Sequence, residues 1–487
     1  MRHRRPPRRF DRNIVVIGAG SAGLVSAYMA SSLRASITLV EEEAMGGDCL
    51  NTGCVPSKTL IHAAKVAAQA QAGASIGIGS GNISVDFPAI MQNIRQTISR
   101  VAPHDSVERY RDLGVDVRLG KARIVDPWTV DIEGERLTTR SIIIATGAEP
   151  FIPPIPGLSE SGYLTSDTLW SLDRQPGELL ILGGGPIGCE LSQAFSRLGT
   201  AVTQVEMADR LLLREDHEVS DFVAERLRRD GVALKLSHQA LRVENSDKGR
   251  VLVCMQDGNE VHFGFDTLLV AVGRKPRIGG FGLEALGIDA PHTVETNAYL
   301  QTLYPHIFAC GDVTSPYQFT HAAAHEAWHA AVNALFAPLL RLKVDHSLIP
   351  AVTFVDPEVA RVGLNENEAL ARDIEYEVTR YGLSELDRAL TEDATEGFVK
   401  VLTVPGKDRI LGATIVGQHA GELLAEFALA MRYRLGLGKL LGVVHAYPTW
   451  SEANKYTAGV WKRKHAPEKV LRLLERYHGW RRRRFPF

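Results

Sequence analysis

Residues 13–23 read Asn-Ile-Val-Val-Ile-Gly-Ala-Gly-Ser-Ala-Gly, a short β-branched run followed at once by a glycine-rich turn. The run predicts a buried strand, and the small residues that follow predict a helix extending to Arg34. Glycines at this spacing let the backbone approach a pyrophosphate, and the free N–H groups at the helix start form an anion site. The predicted cofactor-binding residues of this turn are Gly18, Gly20, Ser21, Ala22 and Gly23.

The next predicted strand, residues 37–40, ends at Glu41, whose carboxylate is placed to accept hydrogen bonds from a ribose diol. The same pattern recurs at residues 179–206, where a strand, a glycine turn, a helix and a second strand end at Glu206. The chain therefore has two predicted dinucleotide sites. In the second turn the predicted binding residues are Gly183, Gly185 and Gly188.

An acid at Glu206 favours a free 2′-hydroxyl over a 2′-phosphate by charge repulsion, so we expect NADH as the nucleotide. Arg210 and Arg214 follow closely, which keeps NADPH as an alternative.

Residues 46–58 read Gly-Gly-Asp-Cys-Leu-Asn-Thr-Gly-Cys-Val-Pro-Ser-Lys. Cys49 and Cys54 lie five positions apart in a loop that runs into a predicted helix, which indicates a redox-active disulfide. Buried structural thiols are the alternative. Zinc sites usually bring a second pair of ligands at matched spacing, and the other three cysteines are scattered singly, so we expect no metal site.

The totals place the chain in the globular class. With 487 residues, 45% hydrophobic and 23% charged, it is long enough for two to four domains, and a net charge of −2 gives no reason to expect nucleic acid. Five cysteines without a framework fit a reducing cytoplasm. Residues 1–11 form a basic arm that we expect to be disordered, and no apolar run predicts a transmembrane helix.

Three further stretches extend the pattern. Residues 141–147 form a predicted buried strand that ends on Thr146 and Gly147, and residues 268–274, which contain Gly273, repeat it in the second unit. Residues 307–312 form another strand, which ends on Gly311 and Asp312. Beyond about residue 345 strands and helices alternate, which marks a further domain.

With the run His-Ala-Tyr-Pro-Thr-Trp-Ser-Glu at 445–452, these motifs resemble the class I pyridine nucleotide–disulfide oxidoreductases, over nearly all of residues 12–460. That family includes dihydrolipoamide dehydrogenase, glutathione reductase and mercuric reductase. The resemblance implies an α/β fold with two Rossmann-like dinucleotide-binding domains and a C-terminal α+β dimerisation domain. The implied segments are a basic arm (1–11), the first part of the FAD domain (12–155), the NAD(P) domain (156–272), the second FAD or central part (273–344), the dimerisation domain (345–460) and a basic amphipathic tail (461–487).

The resemblance also implies the cofactors and the path of the electrons. FAD would lie on the first glycine turn and beside Gly47, with Asp312 near its ribityl chain, and NAD(P)H would occupy the second turn. The nicotinamide would reduce the flavin, which would reduce the disulfide through Cys54, leaving Cys49 as the interchange thiol. Lys58 matches the family lysine beside the flavin, and Glu190 matches its ion-pair partner.

The family also forms homodimers, in which the late motif of one subunit reaches the disulfide of the other. In its disulfide reductases this motif carries a histidine base oriented by an acid that matches Glu452, whereas this chain has Tyr447 at the histidine position. A tyrosine pKa near 10 lies about three units above that of histidine, roughly 4 kcal/mol of protonation cost. Tyr447 is therefore expected to be a poor proton acceptor, and His445 is the alternative residue for proton transfer.

Tyrosine at this place resembles mercuric reductase, where thiolates bind a soft metal ion. The vicinal cysteine pair that ends many mercuric reductases is absent, since no cysteine follows Cys310. The predicted function is accordingly mercuric-reductase-like reduction of a thiol-bound metal ion or a disulfide, by electrons from NAD(P)H that pass through FAD and the Cys49–Cys54 pair. Dihydrolipoamide dehydrogenase is the second hypothesis, and a redox-sensing or electron-relay protein is the third.

Two other patterns have competing interpretations. Residues 325–329 fit the zinc motif H-E-x-x-H, but their position after Gly311 and Asp312 favours a structural or flavin-flanking helix. The tail after Trp461 predicts a basic amphipathic helix: first an interface helix with a solvated basic face, second a contact with a membrane surface that would make a cytoplasmic enzyme peripheral to it, third a contact with nucleic acid.

Overall fold

A computed structural model describes residues 6–79, 84–246 and 249–483. The first five residues of the predicted basic arm and the last four of the tail lie outside the described residues. The chain divides into two compact units. One contains residues up to 213 together with 220–346, and the other contains residues 214–219 together with those from 347 onward.

Within the described residues the α-helices are, in chain order, α1 Ser21–Ser32, α2 Gly47–Asn51, α3 Cys54–Ala72, α4 Phe87–Val101, α5 Val107–Asp112, α6 Pro186–Arg197, α7 His217–Arg229, α8 Thr320–Phe336, α9 Glu366–Ala371, α10 Asp387–Thr391, α11 Ala420–Arg432, α12 Leu437–Leu441, α13 Glu452–Lys464 and α14 Glu468–Arg481. Among them no helix combines the length and apolar character that crossing a membrane requires.

The β-strands of the same residues are β1 Arg12–Ile17, β2 Ile37–Glu41, β3 Asp116–Leu119, β4 Ala122–Asp126, β5 Thr129–Ile132, β6 Glu135–Ile144, β7 Ala148–Pro150, β8 Leu164–Thr165, β9 Glu178–Leu182, β10 Ala201–Val205, β11 Ala233–Lys235, β12 Gln239–Ser246, β13 Gly249–Gln256, β14 Asn259–Phe265, β15 Thr267–Val270, β16 Arg274–Pro276, β17 Ile307–Ala309, β18 Ala351–Thr353, β19 Glu358–Gly363, β20 Glu377–Gly382, β21 Phe398–Thr403 and β22 Ile410–Gly417.

The first sheet has the order β3-β2-β1-β6-β5-β4, and β17 also pairs with β6. Strands β1, β2, β3, β6 and β17 are parallel. Because side chains alternate along a strand, Ile14 and Val16 pack into one core while Val15 and Ile17 pack into another on the opposite face. β1 lies between β2 and β6, so the loop after β1 opens at the point where strand order reverses, which is where such sheets bind nucleotides.

The second sheet of this unit has the order β11-β10-β9-β15-β8 and is also parallel. Its β9 strand has neighbours on both sides, like β1 in the first sheet. An antiparallel sheet, β12-β13-β14, lies between β11 and β15 in the chain and shares a buried core with the parallel sheet. The two predicted nucleotide-binding units are therefore built in the same way, which confirms the predicted α/β class.

The second unit contains the antiparallel sheet β18-β19-β22-β21-β20. Helices α11 and α13 contribute side chains to its core, among them Phe427 and Trp461. Trp461 thus belongs to α13 and is buried, and the exposed basic residues Lys462, Arg463 and Lys464 follow it in the same helix.

Residues 214–219 lie within the predicted NAD(P) domain by sequence but within the second unit by contact. The ammonium of Lys400, on the buried strand β21, lies 2.6 Å from Asp216, 2.5 Å from Glu218 and 2.7 Å from Glu366. The side chain of Lys400 is 1% exposed, and a buried ammonium needs such carboxylates to remain charged. This lysine therefore fixes the six-residue segment to the second unit.

Candidate active site

The first glycine turn is shaped for close backbone contacts. A Cβ on Gly18, where φ is +99°, would lie 2.4 Å from the carbonyl oxygen of Ala145. Helix α1 has Gly20 as its N-cap, with no side-chain cap and no acidic residue in its first turn. The N–H groups at this helix start are therefore directed at whatever anion lies outside, as a pyrophosphate requires.

The cysteine segment contacts this turn directly. A Cβ on Gly47, where φ is +56°, would lie 2.6 Å from the Cα of Gly20, so only glycine fits at position 47. Glu41 completes the turn, because its carboxylate accepts hydrogen bonds from the N–H of Ala19 at 2.6 Å and of Glu43 at 2.8 Å. A carboxylate offers about four acceptor positions, so it retains capacity for a ribose diol.

The second turn repeats this geometry. Glu206 accepts hydrogen bonds from the N–H of Gly184 at 2.5 Å and of Ala208 at 2.8 Å, as Glu41 does in the first turn. A Cβ on Gly188 would lie 2.2 Å from the carbonyl oxygen of Gly183, whereas nothing lies within 4 Å of one on Gly185. Gly185 caps α6 without a side-chain bond, so this turn also fits a pyrophosphate.

The predicted residues at the other strand ends lie in the same unit. Thr146 donates a hydrogen bond to the carbonyl oxygen of Arg277 at 2.8 Å, and a Cβ on Gly147 or Gly273 would meet nothing within 4 Å. Burial raises the pKa of Asp312 to about 6, against the opposing charge of Arg274. A partly buried carboxyl group of this kind suits a hydroxyl-bearing ligand such as a ribityl chain.

The paired cysteines have different ionisation states. Cys49 lies in α2, while Cys54 is the first residue of the 19-residue helix α3, where the helix dipole favours an anion. Both are free thiols. A hydrogen bond from Cys49 is the main reason that the pKa of Cys54 falls to about 6, and Lys58 contributes. The same bond and burial raise the pKa of Cys49, so Cys54 is the thiolate and Cys49 holds the proton.

Thr320 was missed by the sequence interpretation as a member of this site. Its hydroxyl lies 3.3 Å from the sulfur of Cys54 and also lowers the pKa of that thiol. Thr320 begins α8 and is 266 positions away from Cys54, so no local pattern indicates this contact.

Lys58 and Glu190 are brought together as expected. The Lys58 ammonium lies 2.8 Å from the Glu190 carboxylate, whose side chain is only 7% exposed. The pair connects α3 to α6, and therefore connects the cysteine helix to the helix that begins at the second glycine turn.

A second set of contacts that the sequence did not predict also holds the cysteine segment in place. The guanidinium of Arg274 contacts the carboxylate of Asp48 and lies 3.3 Å from that of Asp167. The indole N–H of Trp170 donates to the carbonyl oxygen of Thr52 at 2.7 Å. These contacts join residues over 100 positions apart, which no local pattern indicates.

The H-E-x-x-H stretch is part of the packing of α8. Glu326 is fully buried; it accepts a hydrogen bond from the N–H of Gly311 at 2.7 Å, and its other oxygen lies 2.7 Å from His346. The rings of His325 and His329 contact each other edge to face. In the described part of the chain no group of three or more His, Cys, Asp or Glu residues could hold a metal ion. This glutamate thus positions the turn at Gly311, which supports the structural interpretation of the motif.

The late motif, residues 445–452, belongs to the second unit, whereas Cys49 and Cys54 belong to the first. The Tyr447 hydroxyl donates a hydrogen bond of 2.9 Å to Asp387, which raises the pKa of that phenol. Glu452 is buried, and it accepts hydrogen bonds from the hydroxyl of Tyr456 at 3.0 Å and the N–H of Thr449 at 3.1 Å. The carboxylates of Asp387 and Glu452 are therefore each occupied by a hydroxyl of this chain. The sequence analysis did not identify Asp387 or Tyr456 as neighbours of this motif.

His445 is held by acceptors on both sides of its ring. Its Nε2 lies 3.0 Å from a carboxylate oxygen of Glu426, and its Nδ1 lies 3.2 Å from the carbonyl oxygen of Val443. Both ring nitrogens thus already have a hydrogen-bonding partner in this chain, and the side chain is only 6% exposed. The geometry disfavours His445 as a replacement base.

Two dinucleotide turns, a thiolate beside a thiol, and the ion pair between Lys58 and the buried Glu190 define a nucleotide-dependent dithiol oxidoreductase. Comparison with known families agrees: "Pyridine nucleotide-disulphide oxidoreductase" matches residues 12–331, and its dimerisation domain matches residues 349–458. The chain belongs to this family, whose members are oxidoreductases that use FAD and NAD(P)H. The predicted family, fold class and cofactors are confirmed, and the dimerisation domain supports a homodimer.

Curated relatives of two kinds match at similar identity. Mercuric reductase from Staphylococcus aureus is 33% identical over 92% of this chain and 82% of the relative, and dihydrolipoyl dehydrogenase from Bacillus subtilis (strain 168) is 32% identical over 90% of this chain and 96% of the relative. Among solved structures, the HOCl-induced flavoprotein disulfide reductase RclA from Escherichia coli has a TM-score of 0.81 and 26% identity over 92% of this chain and 99% of that one. A Cu(II) complex of the same reductase also matches, with 27% identity.

Proposed function

We propose that this flavoenzyme passes electrons from NADH through Cys49 and Cys54 to a soft metal ion bound by thiols, in the manner of mercuric reductase. The observation that carries the proposal is the pair of occupied carboxylates. Asp387 accepts a hydrogen bond from the Tyr447 hydroxyl and Glu452 accepts one from the Tyr456 hydroxyl, so the position of the family's histidine base offers a neutral phenol. A dithiol substrate needs a base at this place, whereas a metal ion does not.

Each residue near the cysteines then has a role. When bound, FAD and NADH would supply the two electrons. The Cys54 thiolate and the Cys49 sulfur would bind a thiophilic dication such as Hg²⁺, releasing the proton that Cys49 carries. Two electrons convert Hg²⁺ to the neutral metal, which frees both sulfurs. Lys58, held by Glu190, would keep a positive charge beside the reacting centre.

The preference for NADH rests on the second turn. Glu206 would repel a 2′-phosphate. Arg210, which kept NADPH as an alternative, donates a hydrogen bond from its guanidinium to the carbonyl oxygen of Leu213 at 3.1 Å. Contact between the basic tail and a membrane surface also remains a proposal, and it is independent of the electron acceptor.

Steady-state oxidation of NADH separates the candidates. Turnover with Hg²⁺ in excess thiol supports the proposal, fast turnover with lipoamide supports dihydrolipoamide dehydrogenase, and slow turnover with every acceptor supports a redox sensor or electron relay. The dihydrolipoyl dehydrogenase relatives, at 32% identity, are the reason to keep the second candidate.

The occupied carboxylates lead to a sharper test. Tyr447→His alone should raise lipoamide activity only slightly, because Glu452 would still be bonded to Tyr456. Adding Tyr456→Phe frees Glu452 to orient the new histidine, and general-base catalysis is worth roughly 10²-fold or more. Tyr456→Phe alone is the matched control and should leave lipoamide activity unchanged. Equal activity of the single and double histidine variants would contradict this explanation.

A further inference from the structure

Helix α14, the last helix among the described residues, contains no buried residue. Every residue of Glu468–Arg481 except Gly479 is exposed, and none is buried. The preceding helix, α13, instead buries a full face, which includes Trp461. A helix of 14 residues has little stability in water by itself, because most helical stability comes from packing of an apolar face.

Five of the six large apolar residues of α14 fall on one face, and Leu471 lies beyond its edge. Val470, Leu473, Leu474 and Tyr477 are spaced i, i+3, i+4 and i+7, and Trp480 extends the same stripe one turn further. These five side chains are between 43% and 64% exposed. An exposed stripe of this length marks a binding face.

The charge beside the stripe limits what can cover it. Residues 461–487 contain ten Lys and Arg against two Glu, whereas the whole chain has a net charge of −2. Lys469, Arg472 and Arg476 share the neighbouring face of the helix. The tail is therefore strongly basic, and the remainder of the chain is acidic.

Arg481 lies within the apolar face, four residues after Tyr477 and seven after Leu474. In a contact between two proteins its guanidinium would need a buried carboxylate as a partner. At a lipid surface its aliphatic stem lies along the apolar side while the charge reaches the phosphate headgroups, as Tyr and Trp also do with their polar ends.

We propose that α14 lies in the surface of a membrane that contains anionic phospholipid, with its apolar face among the acyl chains and its basic residues on the headgroups. The helix begins at Glu468, ten residues after residue 458, where the match to the dimerisation domain ends. The inference concerns where the enzyme works, so it stands or falls separately from the identity of the electron acceptor.

Flotation of the full-length holoenzyme with vesicles tests this proposal. Binding is expected to vesicles of phosphatidylglycerol and phosphatidylcholine but not to phosphatidylcholine alone, and it should fall as salt rises. Truncation after Ala466 should abolish it with the flavin spectrum unchanged. Each basic residue near such a surface contributes roughly fivefold in affinity, so Lys469→Gln with Arg472→Gln should weaken binding about thirtyfold.

Matched controls separate charge from apolar contact. Arg123→Gln with Arg140→Gln removes the same charge from exposed positions outside the tail and should leave binding unchanged. Leu473→Ser with Leu474→Ser keeps the charge and should weaken binding at least tenfold. The proposal is overturned if the full chain does not float, if both serine substitutions are without effect, if duplex DNA binds the tail more tightly than anionic vesicles do, or if truncation dissociates the dimer, which would make α14 an interface between copies.

Discussion

Replacing Thr320 with valine removes the hydroxyl next to Cys54 and keeps the shape of the side chain. The hydroxyl lies 3.3 Å from the sulfur, and Cys54 has a pKa of about 6. A hydrogen bond to a charged group is worth about 1.5–3 kcal/mol, and one pKa unit corresponds to about 1.4 kcal/mol. We therefore expect the pKa of Cys54 to rise by about one to two units, to roughly 7–8.

The direction of this pKa shift depends on which form of the thiol the hydroxyl stabilises. Because the hydroxyl stabilises the thiolate, its loss favours the protonated sulfur, so the thiolate fraction at pH 7 should fall from about nine-tenths to roughly half or less. The long-wavelength charge-transfer absorbance of the two-electron-reduced holoenzyme, followed against pH, reports this fraction. Cys54→Ser should abolish the band, which ties the signal to that sulfur.

Thr320→Ser keeps the hydroxyl and serves as the control, with an expected midpoint close to that of the unchanged protein. The reasoning is refuted if Thr320→Val leaves the midpoint where it was. It is also refuted if the serine variant shifts as far as the valine variant, because the methyl group rather than the hydroxyl would then be responsible.

Three further changes test other contacts. Lys58→Met leaves the buried Glu190 carboxylate without this partner. Because the lysine is partly exposed, the free energy of unfolding in urea titration should fall by only about 1–3 kcal/mol. The double variant Lys58→Met with Glu190→Met should recover part of the loss. Gly47→Ala should release the flavin, measured by gel filtration with absorbance detection, because the new Cβ would lie 2.6 Å from a backbone atom, whereas Gly406→Ala, also left-handed but in open space, should retain it. Lys400→Met should lower the free energy of unfolding by about 3–5 kcal/mol in the same urea titration, because Asp216 and two other carboxylates would lose their buried cation. An unfolding midpoint equal to that of the unchanged protein would contradict the role assigned to this lysine.

The parts of the site that the sequence predicted depend on local geometry. Gly18 and Gly183 adopt left-handed backbone conformations and Glu41 and Glu206 end strands, and these features follow from spacing within a single strand–turn–helix unit. Lys58 and Glu190 could be paired only through the family resemblance.

The contacts that were missed connect distant positions. Thr320 and Cys54 are separated by 266 residues, and Tyr447 and Asp387 by 60. Their partners are chosen by the way helices pack, and no periodicity within either segment encodes that choice. Tyr456 is an exception, because it lies only one helical turn after Glu452; it was not recognised as its partner because a tyrosine at this spacing is equally compatible with a core position.

The segment 214–219 constrains how this protein can exchange parts during evolution. A gene recombined at a single point near residue 346 would bring Asp216 and Glu218 from one parent together with the Lys400 position from the other. Unless the second parent also had a cation there, two carboxylates would lose their buried counter-ion. Viable chimeras of this chain should therefore inherit a six-residue stretch from the same parent as the C-terminal unit, although more than a hundred residues of the other parent separate the two.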